Sequence, residues 1–429
     1  MKSVRKSHTK IIVIGYCCII LFATLAFSSA PPNQNAETYS SGWKRPTFPP
    51  LGWYALPNKG LNGGVRAFAV TGSDLYAGGY FTATGDAGLT NLGRIGRYNT
   101  SSKSWHALSN EGLNGAVLAL TVHGDDLYVG GSFSATGDGT LPNLSNIARY
   151  DTKNSTWHEM PNEGLNSVVR AMVVHGDDLY VAGTFFETGD GTLKDIGRIV
   201  RFDTNTKTWH KLPKQGLNHW VYSLALSGDN LYAGGQFTAT GDGSTWTDLG
   251  HIVRYNITAK TWQPLPNKGL DDDVIALKAS GEYLYAGGDF LETGDGDLEK
   301  LGRIARYNSN SDTWETFPNK GLNNRIWALE ISGDDLYVGG EFVAAGDGTL
   351  TDLNRIARYN LVSGDWHPLL SNGVTDDVYA LKFFKSDLYV GGAFLATKGT
   401  GLIPILNYIA RLALDVPDFN GYLPLVFKR

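Results

Sequence analysis

Tryptophan recurs along this chain as Trp53, Trp105, Trp157, Trp209, Trp262, Trp314 and Trp366, with spacings of 52 residues and a single 53. The residues between them repeat too. Each copy carries an apolar V-x-A-L segment, a D-L-Y segment running into paired glycines, an I-A-R-Y segment and then the tryptophan, with small variations. Self-similarity at a period of about fifty residues calls for equivalent units set side by side, and four short segments per period predict a propeller blade rather than a solenoid coil. The 53 glycines, and tyrosine at 21 against phenylalanine at 18, suit many short strands joined by glycine turns.

In the second copy the four predicted strands are 117–122 (VLALTV), 126–130 (DLYVG), 146–150 (NIARY) and 157–160 (WHEM). Apolar strands separated by glycine-containing turns read as antiparallel hairpins. The first strand opens at Val65, Val117, Val169, Val221, Val274, Ile326 and Val378, so there are seven copies. The ends are staggered. Segment 53–56 is a tryptophan strand with nothing before it, and 408–414 (YIARLAL) has no tryptophan strand after it. Each fragment supplies what the other lacks. The expected fold is therefore all-β: a seven-bladed propeller of four-stranded antiparallel blades, closed by pairing of 53–56 with the last blade. Closure matters because an open sheet edge leaves backbone groups unpaired.

The flanks are of another kind. Lys2, Arg5, Lys6 and Lys10 precede the apolar run 11–27, and Ser28, Ser29 and Ala30 follow. Residues 1–30 thus read as a secretory signal peptide, with an uncleaved anchor as the rival, since 17 apolar residues sit at the short limit of a span. Residues 31–50 read as a linker, 51–415 as the propeller and 416–429 as a C-terminal tail too short to cross a membrane. Both cysteines, Cys17 and Cys18, fall in the leader, so the processed chain would have no disulfide. Loss of the leader's four cations leaves 33 Lys and Arg against 42 Asp and Glu, a formal charge of −9 instead of −5. An acidic exported chain is not built to bind nucleic acid. The expectation is a monomer, secreted or at the cell surface, with no membrane span once processed.

The glycine pair Gly130–Gly131, followed by Tyr150 and by Trp157 seven residues on, is the pattern of the kelch repeat, and 202–209 (FDTNTKTW) resembles a kelch ending closely. The Gly-Gly-x-Phe and Ile-Ala-Arg-Tyr segments also resemble repeats in the extracellular domains of cortical polarity-marker proteins and related bacterial repeats. The chain departs from ordinary kelch in a regular insertion, F-x-x-T-G-D-G-x-L, after the glycines. The resemblance implies a propeller and, usually, partner binding, but no one activity. The galactose oxidase chemistry found on kelch propellers needs a cysteine crosslinked to a tyrosine beside copper, which a cysteine-free processed chain cannot supply. No cofactor or metal is expected.

Most polar residues that repeat are explained by turns and packing. Asp86, Asp138, Asp190, Asp242, Asp295 and Asp347 hold one place in the insertion, where an Asx-type turn is the simpler reading. Calcium wants about six to eight oxygens from one compact loop, and only the fifth copy, with Glu292, Asp295, Asp297 and Glu299, keeps that idea open. Asp125–Asp126, Asp177–Asp178 and Asp334–Asp335 read as hairpin-turn residues. Arg97, Arg149, Arg201, Arg254, Arg306, Arg358 and Arg411 read as structural, each head paired to a neighbouring loop. His106, His158, His210 and His367 follow the blade tryptophan and read as packing or surface residues. No G-x-S-x-G elbow or local zinc spacing occurs.

Function is better sought where the copies disagree, because packing repeats a residue in every blade and one ligand does not. The loop before the first strand disagrees most: Gly63–Gly64, Gly115–Ala116, Ser167–Val168, His219–Trp220, Asp272–Asp273, Asn324–Arg325 and Asp376–Asp377. Neutral drift of a surface loop would produce such variation too. The candidate binding residues are His219, Trp220, Asp272, Asp273, Asn324, Arg325, Asp376 and Asp377, at the mouth of the channel. No catalytic residue is assigned. Tyr222, Trp327 and Tyr379 follow in the next strand, either joining the site or filling space between blades. The leading expectation is a non-catalytic propeller that binds a protein, peptide or glycan there. The alternatives are an extracellular carbohydrate-active enzyme, with Asp272, Asp273, Asp376 and Asp377 as acid and base, although the two pairs sit two blades apart and glycoside hydrolysis needs carboxylates about 5–10 Å apart, or a structural component of the cell surface.

Overall fold

The computed structural model describes residues 51–243, 246–399, 403 and 405–414. The leader, the linker to residue 50 and the tail from 415 lie outside the described residues. Among those described, twenty-eight strands form seven antiparallel sheets of four. In blade two, strand A is Ala116–His123, strand B Asp126–Ser132, strand C Ile147–Asp151 and strand D Thr156–Glu159. The A strands neighbour one another around a ring and line its channel, and the D strands lie outermost. Blade seven takes its D strand from the start of the ring: Gly52–Ala55 pairs with Ile409–Ala413, Trp53 opposite Leu412 and Ala55 opposite Ala410. The expected closure is what the chain does.

The core lies between blades. One cluster joins Ala69, Tyr76 and Leu108 of the first blade and its connector to Val117, Val129, Phe133 and Trp157 of the second, and six similar clusters complete the circuit. The first glycine of each pair sets the contact distance: a Cβ on Gly130 would stand 2.4 Å from Cγ1 of Val169 in the next blade. Tryptophan bolts the outer rim. The Trp157 indole N–H donates to the carbonyl of Ser109 at 3.0 Å, in the turn arriving from blade one, and Trp209, Trp262, Trp314 and Trp53 repeat the bond.

The strand arginines are structural, but their partners are not loop residues. Arg149 reaches Asp126, the first residue of strand B in its own sheet, at 2.6 Å, and Arg97, Arg201, Arg358 and Arg411 take Asp74, Asp178, Asp335 and Asp387 in the same way. The second aspartate of each Asp–Asp pair is thus the arginine's counter-ion as well as a turn neighbour. In blade five, where Tyr283 replaces that aspartate, Arg306 turns to Glu315 at 2.6 Å.

The inserted loop is built on its aspartate. Asp138 Oδ1 accepts from the Thr136 hydroxyl, the Thr140 N–H and the Thr140 hydroxyl, while Oδ2 accepts from Asn110 in the connector from blade one. These donors, the Thr140 backbone N–H foremost, hold the carboxyl below the usual range. Asp295 is engaged likewise by Thr293, Asp297 N–H and Asn267, leaving little of its carboxylate for a cation. Among the described residues no three His, Cys, Asp or Glu side chains gather as a metal site. No helix there is long and apolar enough to cross a membrane.

Candidate functional site

Each A strand carries the same irregularity at its start. Val65 pairs with Gly79 and Ala67 with Gly78, so Arg66 between them has no place in the ladder, and all seven blades repeat this bulge. A residue in a regular strand faces one side of its sheet, which in a propeller means a neighbouring blade. A bulge re-aims its extra residue. The seven bulge residues are Arg66, Leu118, Arg170, Tyr222, Ile275, Trp327 and Tyr379, and all seven line one cavity of about 330 Å³ in the channel. Asp273, Asp289 and Arg325 complete its wall. A ring that is nearly sevenfold in its packing therefore has a lining with no symmetry at all.

The structure brings some of the expected residues into this cavity and leaves others outside. Asp273 and Arg325 line it; His219, Trp220, Asp272, Asn324, Asp376 and Asp377 do not. Asp272, Asn324 and Asp376 are exposed turn residues, each accepting the next residue's backbone N–H. The His219 and Trp220 rings meet at a tilt with centres 5.1 Å apart, and Trp220 lies 6.4 Å from Tyr222 at the cavity edge. Tyr222, Trp327 and Tyr379, which could have filled space between blades, are channel residues. Arg66, Arg170 and Asp289 were not among the expected residues. The signal for Arg66 and Arg170 was present in the varied second position of V-x-A-L, but its meaning depends on the bulge; Asp289 is the varied residue of Gly-Gly-x-Phe.

Charge in the mouth is wired across blade boundaries. Arg325, entering blade six, grips Asp289 of blade five with Nε and Nη2, the shortest contact being 2.6 Å, and Arg303 also reaches Asp289 at 3.5 Å. Asp377, entering blade seven, meets Arg355 of blade six at 3.2 Å. Asp273, entering blade five, faces Nδ1 of His251 at 3.6 Å and accepts from Gln236 at 3.3 Å, both of blade four. Burial, and then the neighbouring Asp272 carboxylate, pushes the Asp273 carboxyl above the usual range; burial raises Asp377 as well. Trp327 donates its indole N–H to Glu341 at 3.0 Å, and the Arg66 guanidinium lies 3.6 Å from the Tyr379 ring centre.

Comparison with known proteins agrees with this architecture. Residues 54–196 match the family model described as the Rax2 C-terminal beta propeller domain. The polarized growth protein rax2 of Schizosaccharomyces pombe is 28% identical over 165 residues, covering 36% of this chain and 13% of that much longer protein. N-acetylneuraminate epimerase of Haemophilus influenzae is 23% identical over 356 residues, 73% of this chain and 85% of the enzyme. Kelch domain-containing protein 10 of Xenopus tropicalis is 26% identical over 190 residues, 40% of this chain and 42% of that protein. With its 52-residue repeat, its glycine-set blade contacts and its closed ring of seven sheets, the chain is a kelch-like β-propeller repeat protein.

Proposed function

We propose that this propeller is an exported, non-catalytic binder that holds a protein, peptide or glycan at the mouth of its channel. The carrying observation is the asymmetry of the lining: seven positions free of ladder and core constraints bear cations, aromatics and aliphatics around one cavity. An amphipathic lining of that kind suits ligand recognition. Exposed Leu291, Val343 and Leu395 occupy equivalent places on blades five, six and seven, and Leu291 N–H bonds to Asp271 beside the mouth loop, so an apolar arc borders the same face. Export rests on the basic-then-apolar leader, and a surface location also fits the likeness to polarized growth proteins. The test is a glycan and peptide array probed with the wild type and with Trp220→Ala, Asp273→Ala, Trp327→Ala and Asp377→Ala. Loss of a captured ligand at Asp273 and Trp327 is expected; unchanged profiles across all four would reject the site.

The likeness to an epimerase favours one other reading, a carbohydrate-active enzyme. Its acids would be Asp272, Asp273, Asp376 and Asp377, yet Asp273 is engaged by His251 and Gln236, Asp377 by Arg355, and the other two by their own turns. Binding is therefore the better-supported use of the site.

A further inference from the structure

Arg66 and Arg170 differ from Arg325, the third arginine that lines the cavity. Arg325 and Arg303 share Asp289, and Arg355 has Asp377. Among the described residues, neither Arg66 nor Arg170 is ion-paired. Both are held over aromatic rings instead. Arg66 sits 3.6 Å from the centre of Tyr379, and its buried Nε has no hydrogen-bond partner; Arg170 lies 5.3 Å from Tyr222. A guanidinium over a ring gives up hydration on its face but keeps its N–H donors in its own plane, the geometry that takes a carboxylate by two parallel bonds. For the half-buried Arg66 a missing counter-ion is unfavourable, so a bound anion would relieve it, with the more exposed Arg170 at hand as a second donor.

The rest of the wall narrows the anion. Asp273 lines the same cavity and would repel a polyanion, while its oxygens can accept from hydroxyls. Trp327 and Tyr222 offer apolar ring surface on the remaining side. The volume of about 330 Å³ lies at the lower end of ligand pockets, roughly 300–1,000 Å³, and suits one ring rather than an extended chain. We propose, building on the channel-mouth reading, that the cavity takes a carboxylated sugar unit of the uronic acid kind, its carboxylate on Arg66 and Arg170.

Titration calorimetry on the purified propeller-containing chain tests this with glucuronate and galacturonate as probes. Glucose, galactose, inorganic phosphate and a glutamate-rich octapeptide are the comparison ligands. A uronate should bind at least about tenfold more tightly than its neutral sugar. The exposed Arg170 can be changed without disturbing the core, so Arg170→Gln should weaken uronate by about tenfold or more at unchanged melting temperature. Arg66→Lys should retain part of the affinity that Arg66→Gln loses. No heat with either uronate, equal binding of neutral sugars, or unchanged affinity in Arg170→Gln overturns the proposal. Tighter binding of phosphate or of the peptide overturns it too, and reassigns the cavity to that ligand. An array ligand lost in Trp327→Ala but kept by Arg66→Gln and Arg170→Gln would sink the carboxylated sugar and leave the channel-mouth reading standing. An array on which the wild type captures nothing sinks both.

Discussion

A repeated residue does not have a repeated energy. Trp157 donates its indole N–H to Ser109, whereas the buried indole nitrogens of Trp105 and Trp366 have no partner. Replacing Trp157 by Phe removes a hydrogen bond as well as packing area; replacing Trp105 removes area alone. Trp157→Phe is expected to cost about 1 kcal/mol more than Trp105→Phe in denaturant unfolding, and equal losses would show that the bond contributes nothing. From sequence the two tryptophans are indistinguishable. The same limit applies to the site. The mouth-loop pairs stood out because they vary, and two of their residues, Asp273 and Arg325, line the cavity. Arg66 and Arg170 did not stand out, because strand alternation points a residue beside Val65 or Val169 at a neighbouring blade. Only a bulge turns it to the channel, and no single residue type announces a bulge whose seven positions hold Arg, Leu, Tyr, Ile and Trp.

Strands and turns were legible because the chain states each of them seven times. Boundaries moved by only a residue or two: predicted 117–122 is Ala116–His123, and predicted 146–150 is Ile147–Asp151. What repetition concealed was the division of labour inside each glycine pair. A Cβ on Gly130 meets the side chain of Val169 at 2.4 Å, and the third copy already tolerates Ala182 at that place. A Cβ on Gly131 meets the backbone carbonyl of Ala116 at 2.0 Å, which cannot rotate away. Gly130→Ala is expected to lose about 1–3 kcal/mol and Gly131→Ala clearly more, read from thermal or urea unfolding; the reverse order would refute the assignment. The inserted loop makes a pH prediction. The hydrogen-bonded Asp138 carboxyl titrates lower in the fold than in the unfolded chain, so its contribution is complete above the unfolded value near 3.8 and is lost as pH falls through the lower folded value. The melting-temperature gap between wild type and Asp138→Ala should therefore narrow from pH 6 to pH 2. A constant gap would mean the carboxylate charge plays no part.

Across the whole ring, stability depends on a four-residue clasp. Removing 51–56 deletes the D strand of blade seven, exposes the edge of Ile409–Ala413 and strips Trp53 from the Leu370 carbonyl. An unpaired edge seeks another chain. The truncated protein should elute as oligomers in size-exclusion chromatography and melt at a lower temperature, and a monomer with unchanged melting would contradict the role given to the clasp. The bulges carry the opposite lesson. A residue that belongs to neither the ladder nor the interblade core can be rewritten at little thermodynamic expense. The seven channel positions thus behave as a combination dial mounted on a fixed frame, its digits coupled to one another where Arg66 meets Tyr379 and Arg170 meets Tyr222 but not to the frame itself. A library randomised only at 66, 118, 170, 222, 275, 327 and 379 should yield mostly folded propellers with diverging ligands, which makes specificity in this architecture something that can drift quickly while the fold stays where it is.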